Sequence, residues 1–368
     1  AFLMTEIKLV FDEPVQRKKA PKHLADYSPE DRREIATGLG LPAFRANQVA
    51  NHYFTHLSSD PSDRTDIPAA MHGQIREHFI PQMITLVRSV TCDNGMTRKD
   101  LWKLHDGVLV ESVLMRYTDR TTVCISSQAG CGMNCPFCAT GQAGLTRNLS
   151  AAEITEQIVA AARACANGEL PGGPTRLSNV VFMGMGEPLM NYNNVLKSIE
   201  KITSEEGLGM SPKRITVSTS GVPKMIKKLA DDDVKFNLAV SLHSAIDEVR
   251  SKIMPFSKAF PLKDLKESLE YWYAKTNSRV TYEYVVWEGI NDTKEAIHAL
   301  VTFCKYVPCK VNLIEYNPIG DADFKQARPQ VIDDYISILE MNDIIVNVRR
   351  SRGKDIDAAC GQLANKKS

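Results

Sequence analysis

The sequence predicts an α/β chain: a partial (β/α)6 barrel preceded by a small N-terminal helical domain. Three observations predict it. From about residue 118, apolar β-runs alternate with amphipathic helical stretches six times in succession, the pattern of parallel strands joined by crossover helices. That region ends near residue 350 and is therefore about 230 residues long, a little short of the ~250 usual for a closed eight-fold barrel, so an open barrel fits better. Ahead of it, residues 28–80 show helical periodicity broken by Gly, Pro and Asp.

Taken in order, residues 1–20 read as a flexible lead-in, and FDEPVQRKKAPKHLADY (11–27) is rich in Pro, Lys and Arg. A helical domain over 21–82 holds helices expected near 28–39, 43–57 and 67–80. Ser28 marks the first start, and Gly38, Gly40 and Pro42 its end. Residues 83–117 switch to strand alternation around the turns DNGMT and HDG, a β extension. The barrel, 118–350, opens on TTVCISS, and Ser150 with Glu153 forms a capping box for AAEITEQIVAAARACA. Strand and helix then alternate as SNVVFMGMG and NYNNVLKSIEKITSE, RITVSTSG and VPKMIKKLADD, KFNLAVSLH and a Leu-rich helix over 261–276. VTYEYVVWEG and DTKEAIHALVTFCK follow, then KVNLIEYN and QVIDDYISILEMN, then the last strand DIIVNVRRS. Residues 351–368 form a polar C-terminal loop without periodicity.

Composition excludes some classes. With 43% hydrophobic and 24% charged residues the chain is an ordinary globular protein. A net charge of +1 leaves any nucleic-acid contact to local basic patches. There is no run of about 20 apolar residues able to span a bilayer, and the opening AFLMTEIKLV does not read as a secretory signal. The expected setting is a reducing cytoplasm, where nine cysteines point to metal binding or catalysis rather than to a disulfide framework.

The central motif is C-G-M-N-C-P-F-C, with Cys131, Cys135 and Cys138 in a tight loop after a strand. Three thiolates can hold an iron–sulfur cubane and leave one iron without a protein ligand. Zinc is the rival, but it wants four ligands and no second cysteine or histidine pair follows at finger spacing. Four further features are less specific when read alone. GMGEP (184–188) is a glycine turn bearing the carboxylate of Glu187, and Glu111 in VLVESVLMRY reads as the solvated side of a strand. His243 reads as a satisfied structural histidine, and Cys360 as an incidental thiol in a polar loop.

The text around the loop, CISSQAGCGMNCPFCATGQAGLTRNL, resembles the RlmN/Cfr family of radical S-adenosylmethionine RNA methyltransferases. The resemblance runs from HLADYSPEDRREIATGLGLPAFRANQV to DIDAACGQLA. It implies a radical-SAM barrel with a [4Fe–4S] cluster on Cys131, Cys135 and Cys138, and two S-adenosylmethionine molecules per turnover. It implies that Gly186, Glu187, Ser218, Ser241, Leu242, His243 and Asn317 contact that cofactor. It makes Cys360 the cysteine that becomes S-methylated, Cys124 its resolving partner through a transient disulfide, and Glu111 the proton acceptor. The implied partners are 23S rRNA, tRNA and an electron donor such as flavodoxin or ferredoxin, with no membrane, for a monomer that methylates adenine C2. Methylation at C8, a radical enzyme for a small molecule and a zinc-dependent RNA-binding protein remain the alternatives. Of the basic clusters, Arg349, Arg350, Arg352 and Lys354 are expected on phosphate, and Arg17, Lys18, Lys19 and Lys22 on a solvated surface. Tyr53 and Phe54 are expected in a core, and Cys92, Cys165, Cys304 and Cys309 are expected to be structural.

Overall fold

A computed structural model describes residues 19–320, 323–359 and 361–365. Helices α1 (Pro29–Gly38), α2 (Phe44–Phe54) and α3 (His72–His78) build the N-terminal module. Ser28 caps α1 by accepting from the Asp31 N–H, with Pro29 at the first helical position. The third helix is shorter than its periodicity suggests, because Pro68 leads into a 3-10 turn over Ala69–Met71. Ala36, Val49, Tyr53, Phe54, Ile75 and Phe79 form a core belonging to the module, joined from the barrel by Val159. Its seam with the barrel is polar as well. Buried His23 places Nε2 2.8 Å from the Glu156 carboxylate, and Asp26 accepts from the Ala152 N–H.

The next strands are β1 (Ile84–Cys92), β2 (Thr97–Leu104) and β3 (Leu109–Arg116), an antiparallel ribbon. It does not stand apart from the barrel: β3 pairs antiparallel with β4 (Thr121–Cys124), the first parallel strand. After β4 the chain leaves the main sheet to form a two-stranded hairpin of β5 (Gln128–Gly130) and β6 (Leu145–Asn148), with α4 (Ala139–Ala143) between them. It returns through α5 (Ala151–Ala166), where the Ser150–Glu153 capping box is present with both reciprocal hydrogen bonds.

The barrel continues as β7 (Asn179–Phe182), α6 (Tyr192–Thr203), β8 (Ile215–Thr219), α7 (Pro223–Asp231) and β9 (Asn237–Ser241). Two helices follow, α8 (Asp247–Ile253) and α9 (Leu262–Thr276), the first of them unforeseen in the sequence. The remaining elements are β10 (Val280–Val285), α10 (Lys294–Cys304), β11 (Cys309–Ile314), α11 (Pro329–Met341) and β12 (Ile345–Arg349). One ten-stranded sheet results, in the order β1-β2-β3-β4-β7-β8-β9-β10-β11-β12, parallel from β4 onward. Its ends, β1 and β12, do not pair with each other among the described strands, so the barrel is open. Six crossovers link the seven parallel strands, as the strand–helix alternation predicts.

Register divides the sheet into two faces. Val180, Phe182, Ile215, Val217, Leu238, Val240, Tyr282 and Tyr284 are buried on the face that the helices cover. The opposite face carries polar rows: Ser218 beside Ala239 and Thr281, and Ser241 beside Glu283, Asn312 and Asn347. Cys124 lies opposite Val113 on one side and Val181 on the other, on this same inner face. No helix among the described residues is long and apolar enough to cross a membrane.

Candidate active site

The cysteine loop hangs from the hairpin, not from a main-sheet strand as the TTVCISS run suggests. The bend after β4 is held by buried groups. Ser126 donates its hydroxyl to the Glu111 carbonyl at 2.6 Å, and its N–H to Gln157 at 3.0 Å. Gly130 then has to be glycine: with φ at 78°, a Cβ there would stand 1.9 Å from the Gly144 carbonyl oxygen. The Cys131 N–H bonds that same carbonyl at 2.9 Å, closing the loop. Cys135 is buried with Ile253, Met254, Val285, Trp287 and Tyr316, and Phe137 packs 5.0 Å from the Trp287 ring.

Burial pushes the Cys131 thiol up to about 11, and its charged neighbours Glu187 and Cys138 add to the shift. Burial also raises Cys135, helped by the thiols of Cys138 and Cys131. The Cys131 and Cys135 thiols, held away from water, resist deprotonation unless a metal takes the place of their protons. Among the described residues, no three His, Cys, Asp or Glu side chains converge on one point fit for a single metal ion. A cubane makes a different demand, since each thiolate binds its own iron and the sulfurs stand apart. The donor set, three thiols of one loop, fits an iron–sulfur cluster in which one iron has no protein ligand.

The GMGEP turn follows β7. Gly186, φ 102°, is glycine because a Cβ would lie 2.5 Å from the Gln128 side chain, so the close approach is to the hairpin. Glu187 is 2% exposed and fixed on several sides. Its Oε1 accepts from Thr219 Oγ1 (2.9 Å) and the Ser220 N–H (2.6 Å), and its Oε2 from the Leu189 N–H (3.0 Å). Its own N–H donates to Gln128 Oε1 at 2.8 Å. Burial raises its pKa while these donors oppose the rise. A carboxylate so oriented, with lone pairs to spare, suits an ammonium group.

Ser218 and Ser241 lie on the inner face of β8 and β9, partly open. Leu242 is fully buried; its carbonyl accepts from Arg250 Nε at 3.1 Å. Arg250 also donates to the carbonyls of Ser220 (2.7 Å) and Ser241 (3.2 Å), tying together two strand ends. Nothing in its helix pattern marks Arg250 out; only the fold does. His243 sits at φ 57°, buried, with Nδ1 accepting from the Val285 N–H at 3.0 Å. Burial lowers its pKa to about 3, so the ring is neutral and wedged beside Phe137 and Trp287. Asn317 donates to Ser351 Oγ (2.7 Å) and the Glu315 carbonyl (3.1 Å).

Glu111 is not on a solvated face. It is 1% exposed, with Lys99 Nζ 3.1 Å from Oε2 and the N–H of Ala364 3.3 Å from Oε1. The strand that carries it is covered on both sides, which alternation alone cannot reveal. Burial pushes the Cys124 thiol up to about 12. Cys360 lies outside the described residues, as do Arg17 and Lys18. Its sequence neighbour Gly361 accepts from the Ala139 N–H at 2.8 Å, directly after Cys138, and Thr140 donates to the Leu363 carbonyl at 2.6 Å. Of the C-terminal cations, two are spent on structure. Lys354 pairs with Glu315 at 2.6 Å, and Arg352 bonds the Arg116 carbonyl and covers the Tyr117 ring. Arg349 and Arg350 are exposed.

Cysteine triplet, barrel and strand-end polar groups together define a radical S-adenosylmethionine protein, and residues 125–301 match the radical SAM superfamily. The chain is 56% identical over 350 residues to a probable dual-specificity RNA methyltransferase RlmN of Flavobacterium johnsoniae, covering 94% of this chain and 98% of that one. To the protein of the same description from Thermobifida fusca it is 48% identical over 359 residues, covering 97% and 98%. The crystal structure of a radical SAM methyltransferase from Sphaerobacter thermophilus matches with a TM-score of 0.90 at 38% identity, covering 94% of this chain and all of that one. The chain belongs to the RlmN family of radical SAM RNA methyltransferases. The cofactors of that family are a [4Fe–4S] cluster and S-adenosylmethionine, and the thiol triplet and the Glu187 carboxylate fit them.

Proposed function

We propose that this enzyme methylates C2 of an adenosine in the peptidyl-transferase centre of 23S rRNA, and of the adenosine next to the anticodon in tRNAs. The relatives' description as dual-specificity RNA methyltransferases supports the two RNA classes. The observation that carries the site assignment is a shared face: Glu111 and Cys124 stand on the same side of β3 and β4, and the loop flanking Cys360 docks there.

Cys131, Cys135 and Cys138 hold the cluster, and Gly186, Glu187, Ser218, Ser241, Leu242, His243 and Asn317 hold S-adenosylmethionine, with the Glu187 carboxylate receiving its ammonium group. Bound together, the two cofactors supply a carbon radical strong enough to take hydrogen from a methyl group. Cys360 carries that methyl group as a thioether. Its thiolate displaces it from a first S-adenosylmethionine, two of which are used per turnover. Once the carbon is joined to adenine, Glu111 accepts the proton that C2 loses. Cys124, as thiolate, attacks the Cys360 sulfur: the disulfide forms as the sulfur–carbon bond breaks, and the departing carbon keeps the bonding pair, spread into the adenine ring, and takes up a proton to become the methyl group. The disulfide is transient, in keeping with a reducing cytoplasm, and an electron donor of the flavodoxin or ferredoxin type completes the cycle for a monomer.

Anaerobic turnover on ribosomal RNA and tRNA, followed by nucleoside mass spectrometry, tests the reading. The expected product is 2-methyladenosine; 8-methyladenosine or unmodified adenosine overturns it. Cys124→Ala is expected to trap a covalent protein–RNA adduct, and recovery of free RNA alone counts against the resolving role.

A further inference from the structure

Lys99 has no part in the scheme above, and its surroundings give it one. On β2 it stands opposite Val113, which in turn stands opposite Cys124, so the three form one row on one face. Glu111 is two residues along β3, diagonal to Lys99. The ion pair is buried, with side-chain exposures of 7% and 2%. Breaking such a pair leaves an uncompensated charge out of water.

The pair also grips the C-terminal loop at two points. Lys99 Nζ donates to the Asp357 carbonyl at 3.4 Å, while Glu111 Oε1 accepts from the backbone N–H groups of Ala364 and Asn365. Between those grips Ala358, Ala359, Gln362 and Leu363 are buried. Asn365 adds a bond from its side-chain amide to the Leu109 carbonyl at 2.7 Å, at the start of the strand that bears Glu111.

We propose that Lys99 is a positioning residue which, paired with Glu111, latches the C-terminal loop (357–359 and 361–365) onto the inner face and keeps the Glu111 carboxylate aimed at it. An oxygen engaged by two loop amides is not open to a proton from a substrate base. The loop therefore leaves Oε1 before Glu111 acts, and Lys99 holds Oε2 through that exchange. This last step rests on the proposed function; the latch does not.

Hydrogen exchange at the Ala364 and Asn365 amides of the full chain, without substrate, tests the latch. Lys99→Met and Glu111→Ala are each expected to speed exchange there about tenfold or more, the scale of losing a charge-assisted hydrogen bond. The amides of Val311 and Leu313 in the sheet should keep their rates. Lys99→Arg retains the charge and is expected to restore most of the protection. Unchanged exchange in Lys99→Met overturns the latch. Acceleration that reaches Val311 and Leu313 and is not reversed by Lys99→Arg overturns it too, since that is general loss of stability.

Single-turnover methylation of ribosomal RNA tests the positioning role. Lys99→Met is expected to slow adduct release about tenfold with little change in KM for RNA, and Lys99→Arg to recover it. Equal release rates overturn that role. If the exchange rates respond as stated but the unsubstituted enzyme methylates no RNA, the proposed function fails and the latch stands.

Discussion

The two faces of the sheet are made by the same strands yet obey different rules. The outer face is closed by helices, and its Val180, Phe182, Ile215, Val217, Tyr282 and Tyr284 are apolar or aromatic. The inner face alternates with it residue by residue and carries Cys124, Ser218, Ser241, Glu283 and Asn312. The outer face stabilises the fold through area removed from water. The inner face is destabilising on its own terms, since burial raises the carboxyls of Glu187 and Glu283 and the thiol of Cys124. Fold and chemistry are thus separated by a period of two.

That separation can be broken from either side. Cys135→Ala should have the largest effect: loss of the cluster and of all turnover, read as iron and sulfide content and visible absorbance. A protein that keeps three to four irons after this change would refute the ligand assignment. On the outer face, Phe182→Ala empties a fully buried position and should cost about 3–5 kcal/mol in thermal or denaturant unfolding. The iron content of the protein that remains folded should not change.

Smaller effects sharpen the contrast. Thr219→Val keeps the shape but removes the hydroxyl that donates to Glu187 Oε1. Binding of S-adenosylmethionine should weaken about tenfold by calorimetric titration, with little change in melting. The mildest test is pH. With the Cys124 thiol pushed up to about 12, only a small share is thiolate at neutral pH, so decay of the protein–RNA adduct should quicken as pH rises from 7 to 9. A flat profile would remove Cys124 as the attacking group.

The outer face was the legible one. Apolar runs and helical spacing set out the six strand–helix units, and the box at Ser150 and Glu153 located the start of α5. The cysteine spacing announced its loop, though not the hairpin that presents it, because β5 is three residues long and carries no pattern. Glu111 misled for a physical reason. In a strand covered on both sides, charge no longer reports exposure, and the carboxylate is buried with Lys99 as its counter-charge. Short α8 escaped notice because a seven-residue helix has barely two turns of periodicity. Arg250 escaped with it.

The grip on the C-terminal loop also bears on how the molecule is made. Its partners are far apart along the chain: 236 residues from Arg116 to Arg352, 258 from Lys99 to Asp357 and 254 from Glu111 to Asn365. Such contacts cannot form until both partners have been made, and closures of this span come late in folding. The barrel can begin to assemble during synthesis, but the residues flanking Cys360 dock only after the chain has been made through residue 365. A chain cut short by stalled translation would leave Glu111 without its loop partners, and so would be recognisable to proteases as incomplete.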